Sequence, residues 1–313
     1  MLEGRLGRRT LIIGAIAAGF APRTQAQPAR PTLAPAQMAL ADQFDLASSI
    51  TGRTYRIYVS RPGAPPPSSG YEVVYALDAD GSFPIVARQL RRAPQVLVIG
   101  IAYPDSAASS RLRMRDLTPS QPNDAAYANF NGGQIPNDFG GAEGFHRFMV
   151  EELRPQIARL YPVNREHHSL MGYSLGGLFA LHVMFTQPNA YQRLFIGSPS
   201  IWWNGGEVLK DEAGFAAAVR AGKAAPRILI TSAQWEQGDG DPSLPRSGPA
   251  RERRLASKMV DNARDLASRL KALGGAAGYE VNYSVFAEER HDTGIPAAFS
   301  RGANFLYPLQ VSA

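Results

Sequence analysis

Ser174 lies in a pattern of glycines that is typical of a serine nucleophile. Around it the chain reads His168-Ser169-Leu170-Met171-Gly172-Tyr173-Ser174-Leu175-Gly176-Gly177-Leu178-Phe179. A serine hydroxyl reacts poorly until a base takes its proton, and it must stand clear of the sheet to be reached. A short buried strand, a sharp turn and a helix would present it in this way, with the glycines at 172 and 176 letting strand and helix pass close together. The alternative is a surface serine in a glycine-rich turn, which explains neither the strand before the motif nor the helix after it.

The chain has five histidines that could act as the base for this serine, and His291 fits best. It follows the last predicted strand, so we expect it at the edge where parallel sheets carry their active sites. The other four are predicted in helices or at the far end of the nucleophile strand: His146, His167, His168 and His182. We therefore predict that His291 is the base; the alternative interpretation is a solvated loop histidine.

A histidine base needs an acid to orient its ring. In chains with this motif, the acid lies between the serine and the histidine in sequence, after a strand. Glu236 is closest to the end of the strand predicted over 227–232, and it is our first candidate. Weaker candidates lie on the following loop and in the next helix: Asp239, Asp241, Asp261 and Asp265.

Two backbone amides are predicted to hold the negative charge that develops on a carbonyl oxygen. The first is the amide of Leu175, at the start of the helix after the nucleophile. The second comes from the loop after the strand predicted over 71–77, which points to Ala79, with Asp78 or Asp80 beside it.

Three arginines within five residues could bind an anionic substrate: Arg111, Arg113 and Arg115. They fall in a long loop predicted over 103–142, where alternate spacing would place them on one side of an extended segment. Guanidinium groups bind carboxylates through paired hydrogen bonds, and Trp202 with Trp203 could add an aromatic wall. We predict Arg113, Arg115 and Trp202 as substrate-binding residues. The alternative is that Arg115 pairs with an acid and fixes the loop while Arg111 is solvated.

The elements that must position these residues alternate between strands and helices. Apolar runs predict strands over 54–59, 71–77, 95–101, 169–171, 193–197, 227–232 and 279–286. Helices are predicted over 145–160 (with a kink at Pro155), from 178 onward, over 251–273 and over 297–307. This alternation predicts an α/β fold, with a mostly parallel sheet and helices on both faces in a three-layer α/β/α sandwich.

Composition narrows the classes of function. The 313 residues, 44% of them hydrophobic, suit one large α/β domain. The chain has no cysteine, which excludes disulfides and cysteine metal sites, and we expect no cofactor and no metal. Half of the formal net charge of +6 falls in residues 1–26, and the remainder is too small to argue for a nucleic-acid partner.

The N-terminus is predicted to be a targeting segment. Arg8-Arg9-Thr10 precede an apolar run over 11–21, and Thr24-Gln25-Ala26 offers a cleavage site. The paired arginines favour a twin-arginine signal in a bacterium, and thus a periplasmic or secreted protein. The apolar run is too short to span a bilayer, and we expect no membrane span elsewhere. The predicted organisation is a signal peptide over 1–26, a loose leader over 27–43 and one domain over 44–313.

Several stretches between about 53 and 307 resemble a known family. They are Val74-Tyr75-Ala76-Leu77-Asp78, Val98-Ile99-Gly100-Ile101-Ala102-Tyr103, Arg113-Met114-Arg115-Asp116-Leu117-Thr118-Pro119, the Gly172–Gly177 motif, Ser198-Pro199-Ser200-Ile201-Trp202-Trp203, Trp235-Glu236-Gln237 and His291. They are similar to serine esterases of the α/β-hydrolase superfamily that include the siderophore (enterobactin and salmochelin) esterases, with the esterase D group as a wider relation. The resemblance implies an α/β-hydrolase fold, Ser174 as nucleophile and His291 as base. It also implies that a Ser–His pair can work without a strong acid, which weighs against Glu236.

We therefore expect an exported serine hydrolase that cleaves a small-molecule carboxylic ester through an acyl-enzyme, with a siderophore-type lactone as one candidate substrate. Two alternatives keep the same fold. One is an acyltransferase, in which an alcohol replaces water at the acyl-enzyme, and the other is a binding protein without catalysis. The sequence leaves the oligomeric state open.

Overall fold

A sheet of eight strands forms the centre of the part of the chain that the structure, a computed structural model, describes: residues 41–122 and 138–308, without the side chains of Ser106 and Ala107. The strands are Ala41–Ala47 (β1), Thr54–Ser60 (β2), Tyr71–Leu77 (β3), Val96–Ala102 (β4), Val163–Tyr173 (β5), Arg193–Gly197 (β6), Arg227–Ala233 (β7) and Glu280–Phe286 (β8). Their spatial order is β1-β2-β4-β3-β5-β6-β7-β8. β1, β2 and β4 pair antiparallel, and every pair from β4 to β8 is parallel. The loops after these parallel strands therefore meet at one edge of the sheet.

Helices cover both faces of this sheet. They are Ala79–Leu90 (α1), Ser106–Asp116 (α2), Ala142–Arg147 (α3), Arg154–Leu160 (α4), Leu175–Thr186 (α5), Glu212–Arg220 (α6), Pro249–Ser257 (α7), Met259–Lys271 (α8) and Ile295–Leu306 (α9). Short stretches of 3-10 helix lie at Trp203–Gly205, Glu207–Asp211 and Gln234–Glu236.

Two buried apolar clusters lie between the sheet and the helices that cover its two faces. One contains Phe83 of α1 and Phe299 of α9, and the other contains Phe179 of α5 and Phe215 of α6. β4 is buried at every position, as expected for a strand with helices on both sides. The predicted α/β-hydrolase fold class is confirmed.

The region predicted as one long loop over 103–142 contains helix α2. Its sequence, SAASSRLRMRD, has few apolar residues and no apolar stripe, so the helical period is not visible in it. Successive side chains on a helix turn by about 100°. Arg113 therefore points away from the side that Arg111 and Arg115 share, and the prediction of one extended, three-arginine face was wrong.

Two further boundaries differ from the predictions. The last three residues of the expected leader, 41–43, belong to β1, a polar edge strand whose Asp42 and Asp45 bond Arg61 and Arg56. The signal peptide predicted over 1–26 and the rest of the leader lie outside the described residues. The single helix predicted over 251–273 is broken between α7 and α8 at Lys258, which has a left-handed backbone with φ 44°.

The helix around Pro155 continues through a wider turn. Residues Phe148–Leu153 form a π-helix between α3 and α4, and Pro155 lies in the first turn of α4. A proline lacks the amide that an α-helix would use at this point, and the wider turn accommodates that loss. Across the described residues, no helix combines the length and apolar character that a membrane crossing requires.

Candidate active site

Ser174 occupies a strained turn between β5 and α5. Its backbone has φ 59° and ψ −116°, a conformation that L-residues rarely adopt. A Cβ added to Gly172 would lie 2.1 Å from the carbonyl oxygen of Gly176, so residue 172 has to be glycine. A Cβ on Gly176 would meet nothing closer than 3.6 Å, whereas one on Gly177 would lie 2.7 Å from the Gly197 carbonyl oxygen. The close approach of β5 and α5 therefore depends on Gly172, and that of α5 to the end of β6 on Gly177. Gly176, which the sequence suggested beside Gly172, has room for a Cβ.

Backbone hydrogen bonds fix this turn to the loop after β6. The amide of Ser174 donates to the carbonyl of Gly197 at 2.9 Å. The carbonyl of Ser174 accepts from the amides of Leu178 at 3.0 Å and Ser200 at 3.1 Å. The backbone of the nucleophile candidate is thus bonded to its own helix and to the segment at the end of β6, which favours a fixed position for its side chain.

His291 and Glu236 meet across the loops after β8 and β7. The Nδ1 atom of His291 lies 2.6 Å from Oε1 of Glu236. The second carboxylate oxygen of Glu236 accepts from the amide of Ala233 at 2.9 Å. The Glu236 side chain is 1% exposed, whereas that of His291 is 43% exposed. When Nδ1 donates to this buried carboxylate, Nε2 is left as the acceptor that a base requires.

Tyr173 supports this pair, and we did not anticipate it from the sequence. Its hydroxyl donates to the carbonyl oxygen of His291 at 2.9 Å and lies 3.3 Å from Oε1 of Glu236. Its ring lies 5.1 Å from the imidazole, centroid to centroid. Burial, followed by the nearby Glu236 charge, raises the pKa of Tyr173, so the hydroxyl keeps its proton. The available signal was its position beside the serine, between the two glycines of the motif.

The two predicted oxyanion amides lie at the starts of neighbouring helices. Ala79 is the first residue of α1 and Leu175 the first residue of α5, and these helices follow the adjacent parallel strands β3 and β5. Amides in the first turn of a helix have no acceptor within the helix. Oδ2 of Asp78 lies 3.6 Å from where a Cβ on Gly176 would be, so the two helix starts are close. This arrangement can direct two free N–H donors toward one oxygen.

The three arginines predicted to face substrate are placed differently. Arg113 forms a two-fold ion pair with Asp78, and Arg115 pairs with Asp138 at 3.0 Å. Neither lines the cavity described below, and Arg111 is exposed on α2. The alternative that Arg115 pairs with an acid agrees with this geometry.

A cavity of about 780 Å³ opens over these loops. That volume suits an organic ligand of substantial size. Its lining, among the described residues, includes Ser174, His291 and Glu236, together with the indoles of Trp202 and Trp235. Trp203 is buried instead, 5.4 Å from the ring of Phe139. Trp202, which we predicted as a substrate-binding residue, lines the cavity, and so does Trp235, which we did not predict in this role.

The other candidate acids have different partners, and none of the other four histidines, all within the described ranges, lines the cavity. Asp239 pairs with Arg251 and Arg254, and Asp241 accepts from Ser243. Asp261 and Asp265 pair with Arg264 on α8. Burial lowers the pKa of His146 and of His168 to about 4 each, and burial also lowers that of His182, so these rings stay neutral. His167 lies near Glu72 at the opposite end of β5.

No group of three or more His, Asp or Glu side chains within residues 41–122 and 138–308 is arranged to hold a metal ion. The polar groups at this site are instead the hydroxyl of Ser174, the imidazole of His291 with its carboxylate partner Glu236, and the two amides at the helix starts. Such a set can transfer an acyl group through a serine.

Comparisons with known proteins agree with this chemistry. The model of a family described as "Putative esterase" matches residues 48–272. Ferri-bacillibactin esterase BesA of Bacillus subtilis (strain 168) is 34% identical over 273 residues, which are 84% of this chain and 88% of that protein. A siderophore enterobactin esterase of Emericella nidulans is 33% identical over 254 residues, 75% of this chain and 82% of that protein. The crystal structure of BES protein from Bacillus cereus has a TM-score of 0.74 and 29% identity, covering 88% of this chain and 99% of that one.

Proposed function

Since the chain belongs to this esterase family and is a carboxylic-ester hydrolase, we propose that it cleaves siderophore-type esters through a covalent acyl-enzyme on Ser174. The two relatives are named for ferri-bacillibactin and for enterobactin, and those names support a siderophore-type substrate. The observation that carries the mechanism is the 2.6 Å contact between His291 and Glu236 at a cavity that Ser174 also lines.

The first half of the reaction transfers the acyl group to the enzyme. His291 takes the proton of the Ser174 hydroxyl as its oxygen attacks the ester carbonyl carbon. The carbonyl electron pair moves onto oxygen, where the amides of Ala79 and Leu175 stabilise the charge. The bond to the alcohol oxygen then breaks, and His291 returns the proton to that oxygen. In a lactone, the released alcohol stays attached to the acyl group.

The second half releases the acid. His291 takes a proton from water as the water oxygen attacks the acyl carbon, and it returns that proton to the Ser174 oxygen when the acyl bond breaks. Throughout, the Glu236 carboxylate accepts a hydrogen bond from the Nδ1–H group of His291, so Nε2 is the nitrogen that exchanges protons with serine, substrate and water. The negative charge of Glu236 also stabilises the imidazolium that forms in each half of the reaction.

The test is a fluorophosphonate label combined with product analysis. We expect the label to add to Ser174, short activated esters and catecholate lactones to be hydrolysed, and both properties to be lost in Ser174→Ala with the fold retained. Unchanged turnover in Ser174→Ala would refute the assignment. Mass spectrometry of the products in the presence of an added alcohol separates hydrolysis from acyl transfer, since only transfer yields a new ester.

We also propose that the protein is exported. The support is the order of paired arginines, apolar run and cleavage site within residues 1–26. N-terminal sequencing of the protein from a periplasmic or culture fraction should begin near Gln27. A soluble exported protein that begins at Met1 would contradict the proposed signal.

A further inference from the structure

The cavity that contains Ser174 carries an excess of positive charge. Among the described residues its charged lining consists of three guanidinium groups and two carboxylates: Arg253, Arg254, Arg290, Glu236 and Asp292. Glu236 faces His291, and Asp292 bonds Arg290 at 3.1 Å. Asp239 and Asp241, outside this lining, lie against Arg254 and Arg290, so the positive charge available to an anionic ligand depends on the remaining arginine.

The three arginines differ in what they bind within the chain. Arg254 donates to Asp239 and to the carbonyls of Gly238 and Pro245. Arg290 pairs with Asp292 and lies 3.6 Å from Asp241. For Arg253, no carboxylate in the described ranges forms an ion pair. Its guanidinium is the cavity charge that an incoming anion can bind without displacing a partner in the chain.

Helix α7, which carries Arg253, is held in place by a clamp of ion pairs and not by an apolar core. None of the residues of α7 is buried. Asp239 bonds Arg251 at 2.5 Å and Arg254 at 2.9 Å, and so ties the helix to the loop after β7. Residues 250, 253 and 257 share one face of the helix and all line the cavity. The clamp therefore fixes which face of α7 the substrate meets.

The aromatic residues of the lining define the shape of such a ligand. Trp235 lies against Gly240, where an added Cβ would come within 2.9 Å of its ring. Its backbone amide donates to the backbone carbonyl of Glu289, two residues before His291. Trp202 follows β6 on the nucleophile side. Two indole rings beside an available guanidinium suit an aromatic ring that carries negative charge.

We propose that Arg253, held by the Asp239 clamp of α7, determines substrate specificity by binding an anionic group on an aromatic ester. This inference rests on the proposed ester-hydrolase function and narrows it to one class of substrate. Because the contact forms with the bound substrate as well as with the transition state, its loss raises KM more than it lowers kcat.

The experiment compares two acetate esters that differ only in one carboxylate, phenyl acetate and 3-acetoxybenzoate. The readout is the ratio of kcat/KM for the anionic ester to that for the neutral ester. We expect Arg253→Gln to lower the ratio about two- to fivefold, mainly through KM, and Arg253→Lys to lower it less. Raising NaCl from about 0.05 to about 0.5 M should lower the wild-type ratio and leave that of Arg253→Gln nearly constant.

Two matched variants separate position from charge. Arg301→Gln removes the same charge from the exposed side of α9, and it should leave the ratio unchanged. Asp239→Asn removes a negative charge near the cavity, so a simple field effect predicts a higher ratio. Our proposal predicts a lower one, because α7 loses its clamp while Arg253 is retained.

Equal changes for both esters in Arg253→Gln, or a higher ratio in Asp239→Asn, would overturn the inference. Neither result would touch the proposed hydrolase function, because that is judged by phenyl acetate hydrolysis in wild type and its loss in Ser174→Ala. If wild type hydrolyses neither ester nor any lactone, the function itself fails.

Discussion

Arg113 on α2 holds Asp78 at the start of α1 through two parallel hydrogen bonds, Nε to Oδ1 at 2.7 Å and Nη2 to Oδ2 at 2.8 Å. Asp78 has a left-handed backbone with φ 53° and ψ 49°, which is unfavourable for a residue with a side chain. The next residue, Ala79, carries one of the two amides assigned to the oxyanion. The ion pair therefore stabilises the backbone turn that directs this amide.

Arg113→Ala is expected to lower kcat about ten- to hundredfold with a smaller change in KM. A misdirected oxyanion donor weakens binding of the transition state more than binding of the substrate. Steady-state kinetics on a neutral aryl ester provide the measurement. Arg111→Ala, which removes an exposed charge from the same helix, is the control and should remain close to wild type. A rise in KM confined to anionic esters, with kcat unchanged, would contradict this role and show that Arg113 contacts the substrate.

His291→Ala should be far more damaging than Glu236→Gln. In the proposed mechanism His291 moves the proton in both half-reactions, whereas Glu236 orients its ring. We expect losses in kcat of about 10³- to 10⁴-fold for His291→Ala and about ten- to hundredfold for Glu236→Gln. Asp241→Asn serves as the comparison among the candidate acids. Wild-type activity in Glu236→Gln together with a severe loss in Asp241→Asn would show that the acid is wrongly assigned.

Gly172→Ala should lower the free energy of unfolding, measured in urea, much more than Gly176→Ala does. The added Cβ at 172 would lie 2.1 Å from the Gly176 carbonyl oxygen, and α5 must move to relieve that overlap. We expect a loss in the free energy of unfolding of about 1–3 kcal/mol or more, typical of overpacking. At 176 the nearest atom is 3.6 Å away, so the loss should stay within about 0.5 kcal/mol. Equal losses in the two variants would contradict this account of the turn.

Asp116 should make the protein more stable in mild acid than at neutral pH. Burial raises the pKa of this carboxyl to about 6, against the donors Tyr55 and Tyr103 and nearby arginines. Because the folded-state pKa lies above the unfolded value, the contribution of Asp116 to the free energy of unfolding is complete below pH ~4. It is lost as pH rises through ~6. The free energy of unfolding should therefore fall by on the order of 1–3 kcal/mol over that window relative to Asp116→Asn. Parallel pH curves for the two proteins would show that Asp116 does not titrate in this way.

The positions of the candidate catalytic residues could be predicted because each follows a strand whose apolar run is visible in the sequence. Ser174, Glu236 and His291 come after β5, β7 and β8 in the chain order that the motif requires. The edge at which parallel strands end then brings them together. The contact of His291 with Tyr173 was not predictable, because it depends on how two loops cross and not on any period in the sequence.

The arginines show where such reasoning fails. α2 has a polar sequence and, with little apolar surface to bury, no stripe that reveals a helix, whereas most of α7 falls within the helix predicted over 251–273. Arg113 and Arg253 lie on these two helices. Spacing alone assigned the first to the substrate and did not single out the second. Which arginine has a partner depends on tertiary contacts to Asp78, Asp138 and Asp239, and a single sequence does not contain them.

The exposed position of α7 has a consequence for how this enzyme can diverge. Its residues contribute nothing to the buried clusters, and the residues that flank it, Gly248 and Lys258, both have positive φ angles. Substitutions along its cavity face should therefore cost little folding stability while changing what the active site accepts. Natural selection, or a designer exchanging this helix between homologues, can alter the preferred ester without disturbing the elements that carry Ser174 and His291.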